Sequence, residues 1–284
     1  MKVLGPVLIC LATGKAANAS THFRLLLPPP HSTLWLGCRH WWALTAPGVW
    51  ILFNILFNYY MCILTPPGAP PASLEQQETC AKAGVDTAVD PKKSGQFSSY
   101  CKRCDFPKPM RAHHCHICKK CVLRMDHHCP WVGNCVGHFN YRYFYLFLFY
   151  LWIGCIFAAM VSFFPFLAQV AEKTRTARQH HRERFSSESG LVFTFVISLS
   201  VGVAIALMLA WHTYLILSAQ TTIEFYGNRS RAKRLKLHGR MFVNPYDLGR
   251  TRNWASVFGP SKYWFSWMLP SRRLPPTDGT VYPT

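Results

Sequence analysis

Two stretches of this 284-residue chain contain no Asp, Glu, Lys or Arg: Tyr143 to Val170, twenty-eight residues, and Gly190 to Ser218, twenty-nine. A helix rising ~1.5 Å per residue needs about 20 residues to cross the ~30 Å hydrocarbon layer of a bilayer, so each run has length to spare. Helices in the core of a water-soluble protein seldom stay uncharged for so long. A third uncharged run, Trp41 to Leu64, is interrupted by Pro47, Gly48, Asn54 and Asn58, yet its length also fits a span. The expected fold is therefore an all-α integral membrane protein, a multi-span helical bundle with clear spans at 41–64, 143–170 and 190–218.

The formal charge of +19 has an obvious nucleic-acid reading. Its distribution argues for a membrane instead. Eleven Lys and Arg lie between Leu64 and Tyr143, eleven follow Ser218, and five sit in the loop 171–189. Cytosolic segments beside spans are the basic ones, so 65–142 and the tail 219–284 are expected in the cytosol, with 171–189 a lumenal loop. The bilayer, not nucleic acid, is then the partner of this charge. The basic stretch Asn228 to Arg240 reads as a solvated face drawn to anionic headgroups, or as a grip on a nucleotide-bearing cofactor. Residues 1–40 combine a short apolar run with "AANAS" and resemble either a signal peptide or the remnant of a first span. "TPPGAPPAS" at Thr65 to Ser73 marks the exit from the first span into a polar linker that ends at residue 100. No internal repeat is evident.

Between the linker and the next span lies a cysteine-rich module, 101–142, with seven cysteines from Cys101 to Cys135. Clustered Cys and His on a cytosolic segment bind metal more often than they form disulfides. Cys101-x2-Cys104 and Cys115-x2-Cys118 have the spacing of zinc knuckles, and Cys121, Cys129 and Cys135 follow among six histidines. Two tetrahedral sites need eight ligands, which six cysteines and two histidines supply, stranding one cysteine. Pro130 biases Cys129 toward extended backbone, where alternation puts His127 and Cys129 on one face and His128 on the other. That favours His128 as a ligand and Cys129 as the stranded thiol. Asp126 then falls on the face of His128, and only a local turn would bring it to His127. A purely structural zinc module with Cys129 as ligand also fits the spacing, as does a linear site of Cys101, Cys104, Cys115 and Cys118.

A free thiol beside an imidazole becomes a nucleophile when the ring takes its proton, and a carboxylate that orients the ring completes the set for acyl transfer. The product expected on Cys129 is a thioester.

"CKRCDFPKPMRAHHCHICKKCVLRMDHHCPWVGNCVGHFNYRYF" (Cys101 to Phe144) resembles the cysteine-rich domain of the DHHC protein S-acyltransferases, or palmitoyltransferases, at every metal-ligand position. "TTIE" at Thr221 to Glu224 is similar to the family's TTxE motif, and "NPYDLGRTRNWASVFG" at Asn244 to Gly259 to its C-terminal element. "TPPGAPP" and "TRNW" resemble the Abl-philin branch. The resemblance covers about Trp41 to Ser271. It implies two interleaved structural zinc sites, one of Cys101, Cys104, His114 and Cys121, the other of Cys115, Cys118, His128 and Cys135. It also implies Cys129 as nucleophile, His127 as its base, Asp126 as the orienting group, and Thr222 and Asn253 as braces of the module. The alternative readings are that Thr222 ends the last span and that Asn253 caps a helix starting at Trp254. The family has four spans, where this sequence shows three, and its donor is a long-chain acyl-CoA such as palmitoyl-CoA. Its acceptors are cysteines of membrane-associated proteins, and the branch implies the endoplasmic reticulum or Golgi. The alternative is a non-catalytic, zinc-stapled membrane adaptor, which differs in one property: Cys129 stays unacylated.

Overall fold

The computed structural model describes residues 34–70, 97–175, 185–260 and 265–283. The signal-like or first-span reading of residues 1–33, most of the linker (71–96) and part of the loop 171–189 (176–184) lie outside the described residues.

Among the described residues, five helices and three hairpins follow in order: α1 (Leu34–Leu64), β1 (Phe97–Cys101), β2 (Phe106–Pro109), β3 (His113–Cys115), β4 (Lys120–Val122), β5 (His127–Cys129), β6 (Asn134–Val136), α2 (Tyr141–Arg175), α3 (Phe185–Leu217), α4 (Thr222–Leu237) and α5 (Arg250–Phe258). Three of the helices are long and apolar enough to cross a membrane, over Trp42–Leu64, Tyr141–Phe164 and Val192–Leu217, with mean hydropathies of 1.5, 2.2 and 2.5. The long helices pass through two compact units. One takes in Asn58–Tyr145 and Trp211–Thr284, the other Leu146–Ala210 and the described residues up to Phe57.

The second unit is helical. Glycines let its helices approach: a Cβ on Gly154 would stand 3.1 Å from Ile55, and one on Gly202 3.2 Å from the Cβ of Cys155. Small residues at contacts are how helices pack in lipid, where apolar burial gives no driving force. The outward side chains, among them Trp42, Val49, Phe164 and Leu207, are exposed and apolar, as a lipid-facing surface requires. Pro47 does not break α1, which is continuous through it; in a span the amide lost to proline can be offset by neighbouring helices. Asn54 donates from Nδ2 to the Trp50 carbonyl at 2.8 Å, bonding its own helix backbone rather than interrupting it.

In the first unit three antiparallel hairpins succeed one another: β1–β2, β3–β4 and β5–β6. Equivalent positions recur every fourteen residues, at Cys101, Cys115 and Cys129. Each hairpin turns through a residue in the left-handed region four positions on: Asp105 (φ 58°), Lys119 (φ 54°) and Gly133 (φ 60°). The module is thus a threefold repeat, which corrects the reading that no internal repeat is evident: the cysteine and histidine spacing carries it. Its apolar core is small, centred on Cys115, Val122, Met125 and Cys135 with Ile223 packed on it. Strands of three to five residues with so little core need another staple.

Asn134 and Asn140 tie this unit to the end of α1. The Asn134 amide lies 3.2–3.3 Å from the carbonyls of Cys62, Ile63 and Thr65, and that of Asn140 lies 3.3 Å from Cys62. They satisfy helix C-terminal acceptors that Pro66 and Pro67 prevent the chain from meeting itself. The exit segment then packs against Gly137, where any Cβ would come within 2.7 Å of Val122 and 2.8 Å of the Pro67 carbonyl.

Candidate active site

Two Cys3His clusters form between successive hairpins. The knuckle of the first hairpin gives Cys101 and Cys104, and the cross-strand pair His114 and Cys121 of the second closes that cluster. The second knuckle gives Cys115 and Cys118, closed by His128 and Cys135 of the third hairpin. In the first cluster the His114 Nδ1 stands 3.6, 3.2 and 3.9 Å from the sulfurs of Cys101, Cys104 and Cys121. In the second, His128 Nδ1 stands 3.8, 3.4 and 3.6 Å from Cys115, Cys118 and Cys135, and the sulfurs of Cys118 and Cys135 are 3.5 Å apart. A tetrahedron with Zn–S bonds of ~2.3 Å has edges of about 3.8 Å, so both donor sets fit one Zn²⁺ each with no position left for a substrate. The linear arrangement of Cys101, Cys104, Cys115 and Cys118 does not form.

The repeat accounts for the stranded cysteine. Cys129 is the first knuckle position of the third hairpin, and Val132 occupies the place of Cys104 and Cys118. A third metal would need a fourth hairpin, but the chain turns into α2 at Tyr141. The knuckle's backbone survives without its metal. Cys101 and Cys115 each take N–H groups from the residues two and three ahead, and Cys129 takes those of Trp131 and Val132 in the same way. Amides that elsewhere support a metal thiolate here support a free one.

His127 lies beside Cys129 and bonds Asp126, with its Nδ1 2.7 Å from Asp126 Oδ2. The turn that spacing alone left open occurs just upstream, where Arg124 adopts φ 42° and the Asp126 N–H bonds the Val136 carbonyl at 2.9 Å. Thr222 fixes the other side of the carboxylate, its N–H donating to Oδ1 at 2.7 Å and its hydroxyl to Oδ2 at 3.0 Å. Thr222 begins α4 rather than ending α3. Thr221 caps that helix in a reciprocal box with Glu224, and Arg111 grips Glu224 at 2.7 Å through both Nε and Nη2. One strut therefore runs from Arg111 through the capping box to Asp126.

Charge follows geometry. Burial raises the Asp126 carboxyl, but the His127 and Thr222 hydrogen bonds outweigh it and hold the group below the usual carboxylate range. Burial opposes the imidazolium of His127, yet hydrogen bonds to Asp126 and Cys129 raise it to about 9. Burial also opposes the Cys129 thiolate, while His127 and the two knuckle amides lower its pKa overall. Both shifts favour the thiolate–imidazolium form of the pair.

Asn253 is placed differently from the expected brace. It sits inside α5, not before it, so it caps nothing; its Nδ2 bonds the Leu217 carbonyl at 2.8 Å and Asp247 at 2.6 Å, and its Oδ1 accepts from the Leu248 N–H. It holds the end of α3, one step removed from the module. Sequence reasoning also passed over His212 and Tyr141. The His212 ring packs 5.9 Å from that of His127 and 5.0 Å from Phe144, and its Nδ1 lies 2.9 Å from the Tyr141 hydroxyl. His212 sits nine residues before Thr221 within an apolar run, a visible polar exception. The basic stretch of α4 buries no residue.

Helices long and apolar enough to span a membrane, joined to a module with two Cys3His donor sets and one further cysteine beside a histidine, define a protein of the integral-membrane S-acyltransferase class. Comparison with known proteins agrees. The family model "DHHC palmitoyltransferase" matches residues 94–229. Palmitoyltransferase ZDHHC16A of Danio rerio is 33% identical over 278 residues, covering 83% of this chain and 67% of that protein. Palmitoyltransferase ZDHHC16 of Mus musculus is 38% identical over 238 residues, covering 81% and 61%. Probable protein S-acyltransferase 16 of Arabidopsis thaliana is 30% identical over 241 residues, covering 82% and 80%. The chain belongs to the DHHC palmitoyltransferase family. It spans 61 to 80% of the length of these three relatives.

Proposed function

We propose that this chain is a protein S-palmitoyltransferase that carries the acyl group on Cys129, taking it from a long-chain acyl-CoA and passing it to cysteines of membrane-associated proteins. The observation that carries the reading is the Asp126–His127–Cys129 array outside both Cys3His clusters. In the first step the Cys129 thiolate attacks the thioester carbonyl of acyl-CoA. The bond to the CoA sulfur breaks, and the His127 imidazolium gives its proton to the departing sulfur. In the second step neutral His127 takes the proton of the acceptor thiol. The acceptor sulfur attacks the acyl-Cys129 thioester, and Cys129 leaves as the thiolate that the returned imidazolium stabilises.

Asp126 keeps the imidazole in the tautomer that presents Nε2 to sulfur, and Thr222 fixes Asp126. The residues Cys101, Cys104, His114 and Cys121, and Cys115, Cys118, His128 and Cys135, would each hold one Zn²⁺. With four protein ligands apiece, these ions supply folding energy rather than chemistry. The charge distribution supports a cytosol-facing module, with 65–100 a linker, 171–189 lumenal and 219–284 a cytosolic tail. Residence in the endoplasmic reticulum or Golgi rests on the Abl-philin resemblance.

Purified protein in detergent, given palmitoyl-CoA and a membrane-anchored peptide with one cysteine, tests the cycle. Release of CoA together with a hydroxylamine-labile acyl group on the peptide is expected, and neither with Cys129→Ser or a serine peptide. Equal transfer by Cys129→Ser would sink the reading.

A further inference from the structure

Arg124 is a buried cation that shares its nearest carboxylate with Arg111. It is 5% exposed, and no acceptor among the described residues takes a hydrogen bond from its side chain. Its guanidinium carbon lies 5.7 Å from the centroid of the Tyr141 ring, and the Glu224 carboxylate that attracts it is shared with Arg111, which repels it. A buried cation with only a shared counter-ion is costly enough that a further anion is expected.

Arg124 lines a cavity of about 270 Å³ together with Arg111, Arg252, His138, Tyr246 and Tyr282. The nearest carboxylate is already committed. Glu224 accepts both bonds from Arg111, which lies between Tyr246 and Tyr282 at 4.4 and 4.9 Å and also donates to the Ala219 carbonyl at 2.9 Å. His138 donates from Nε2 to the Thr277 carbonyl at 2.7 Å and adds no charge, since burial lowers its pKa to about 4. Three arginines, Arg111, Arg124 and Arg252, therefore stand with one carboxylate, Glu224, around a space large enough for several water molecules. Neither Asp126, His127 nor Cys129 lines it.

We propose that this cavity binds a phosphate monoester of headgroup size, held through its phosphate oxygens by the guanidinium of Arg124. A phosphate monoester carries about two negative charges at neutral pH, which matches the excess of three arginines over one carboxylate better than a single carboxylate does. The planar guanidinium presents paired donors to phosphate oxygens. The tyrosine walls accept the esterified portion. The ligand can be a soluble metabolite or a lipid headgroup, and this binding is separate from acyl transfer.

The test uses full-length, zinc-loaded protein and its melting temperature. Glycerol 3-phosphate and inorganic phosphate are titrated in detergent, and phosphatidic acid is compared with phosphatidylcholine in nanodiscs. Arg124→Met is run in parallel, because Met keeps the length and apolar stem while removing the charge. Wild type should gain a saturable rise in melting temperature, while Arg124→Met should melt no lower than wild type without ligand and bind at least about tenfold more weakly. A response to the soluble phosphates assigns the site to a free metabolite, and a response to phosphatidic acid alone assigns it to a lipid headgroup. No response that depends on Arg124, with any of the three phosphates, overturns the proposal. So does a lower melting temperature for unliganded Arg124→Met, which would make the cation–π contact with Tyr141 its whole role.

Discussion

The reactivity proposed for Cys129 comes from its position as much as from its neighbours. It stands where a knuckle cysteine stands, takes the same two amides, and has His127 in place of a metal. The state of His127 should therefore govern the pH profile of acylation. Its pKa, raised to about 9, keeps the imidazolium protonated through neutrality, so acylation should hold up to about pH 9 and fall above it as the proton for the departing CoA sulfur is lost. Asp126→Asn removes the hydrogen-bonded carboxylate that raises this pKa. The alkaline limb should then move to lower pH, and the acylation rate at pH 7.5 should drop by on the order of 10²-fold. A profile unchanged by Asp126→Asn would contradict the role given to the carboxylate. At this scale much was legible: Pro130 and strand alternation separate His127 and Cys129 from His128. The reach of Asp126 was not, because it depends on a left-handed turn at Arg124 and on Thr222, ninety-six residues away in sequence.

Among the elements, the three hairpins explain both metal sites and the thiol left over. The repeat was present in the sequence as Cys-x2-Cys-x9-His-x6-Cys, twice, offset by fourteen residues. It was hard to see because each metal site draws on two hairpins, so ligands of one site interleave with those of the next. α4 was legible in part: Thr221-x-x-Glu224 is a capping-box signature, and the box forms. What the signature could not show is that the first turn of the capped helix faces Asp126. Thr222→Val deletes the hydroxyl bond at 3.0 Å and leaves the backbone bond at 2.7 Å. It should lower the acylation rate roughly tenfold, as loss of an outer orienting contact commonly does, with zinc content and fold unchanged. Loss of zinc in this variant would show that α4 holds the module together rather than tuning it.

For the whole molecule, apolar run length sets the architecture, and metal held by the two Cys3His donor sets would set its stability. The spans were readable because lipid imposes one simple rule on length and charge. The span over 41–64 holds despite Pro47 and the two asparagines, since α1 stays continuous and Asn54 bonds its own backbone. The hairpins have too little core to stand without metal, and each Cys3His site can contribute on the order of 10 kcal/mol to folding. Cys135→Ser should therefore lose one zinc by mass or elemental analysis and open the third hairpin, ending acylation although Cys129 is intact. Retention of two zincs and activity would refute the assignment of Cys135.

The central claim, that Cys129 is the one cysteine spared by the metals and used for chemistry, is tested most directly by intact mass. Zinc-loaded protein and its Cys129→Ser variant are incubated with palmitoyl-CoA, then treated with neutral hydroxylamine. The account predicts one palmitoyl adduct per wild-type chain, removed by hydroxylamine, and no adduct on a variant that still binds two zincs. An adduct that persists in Cys129→Ser, or loss of a zinc from that variant, would contradict it.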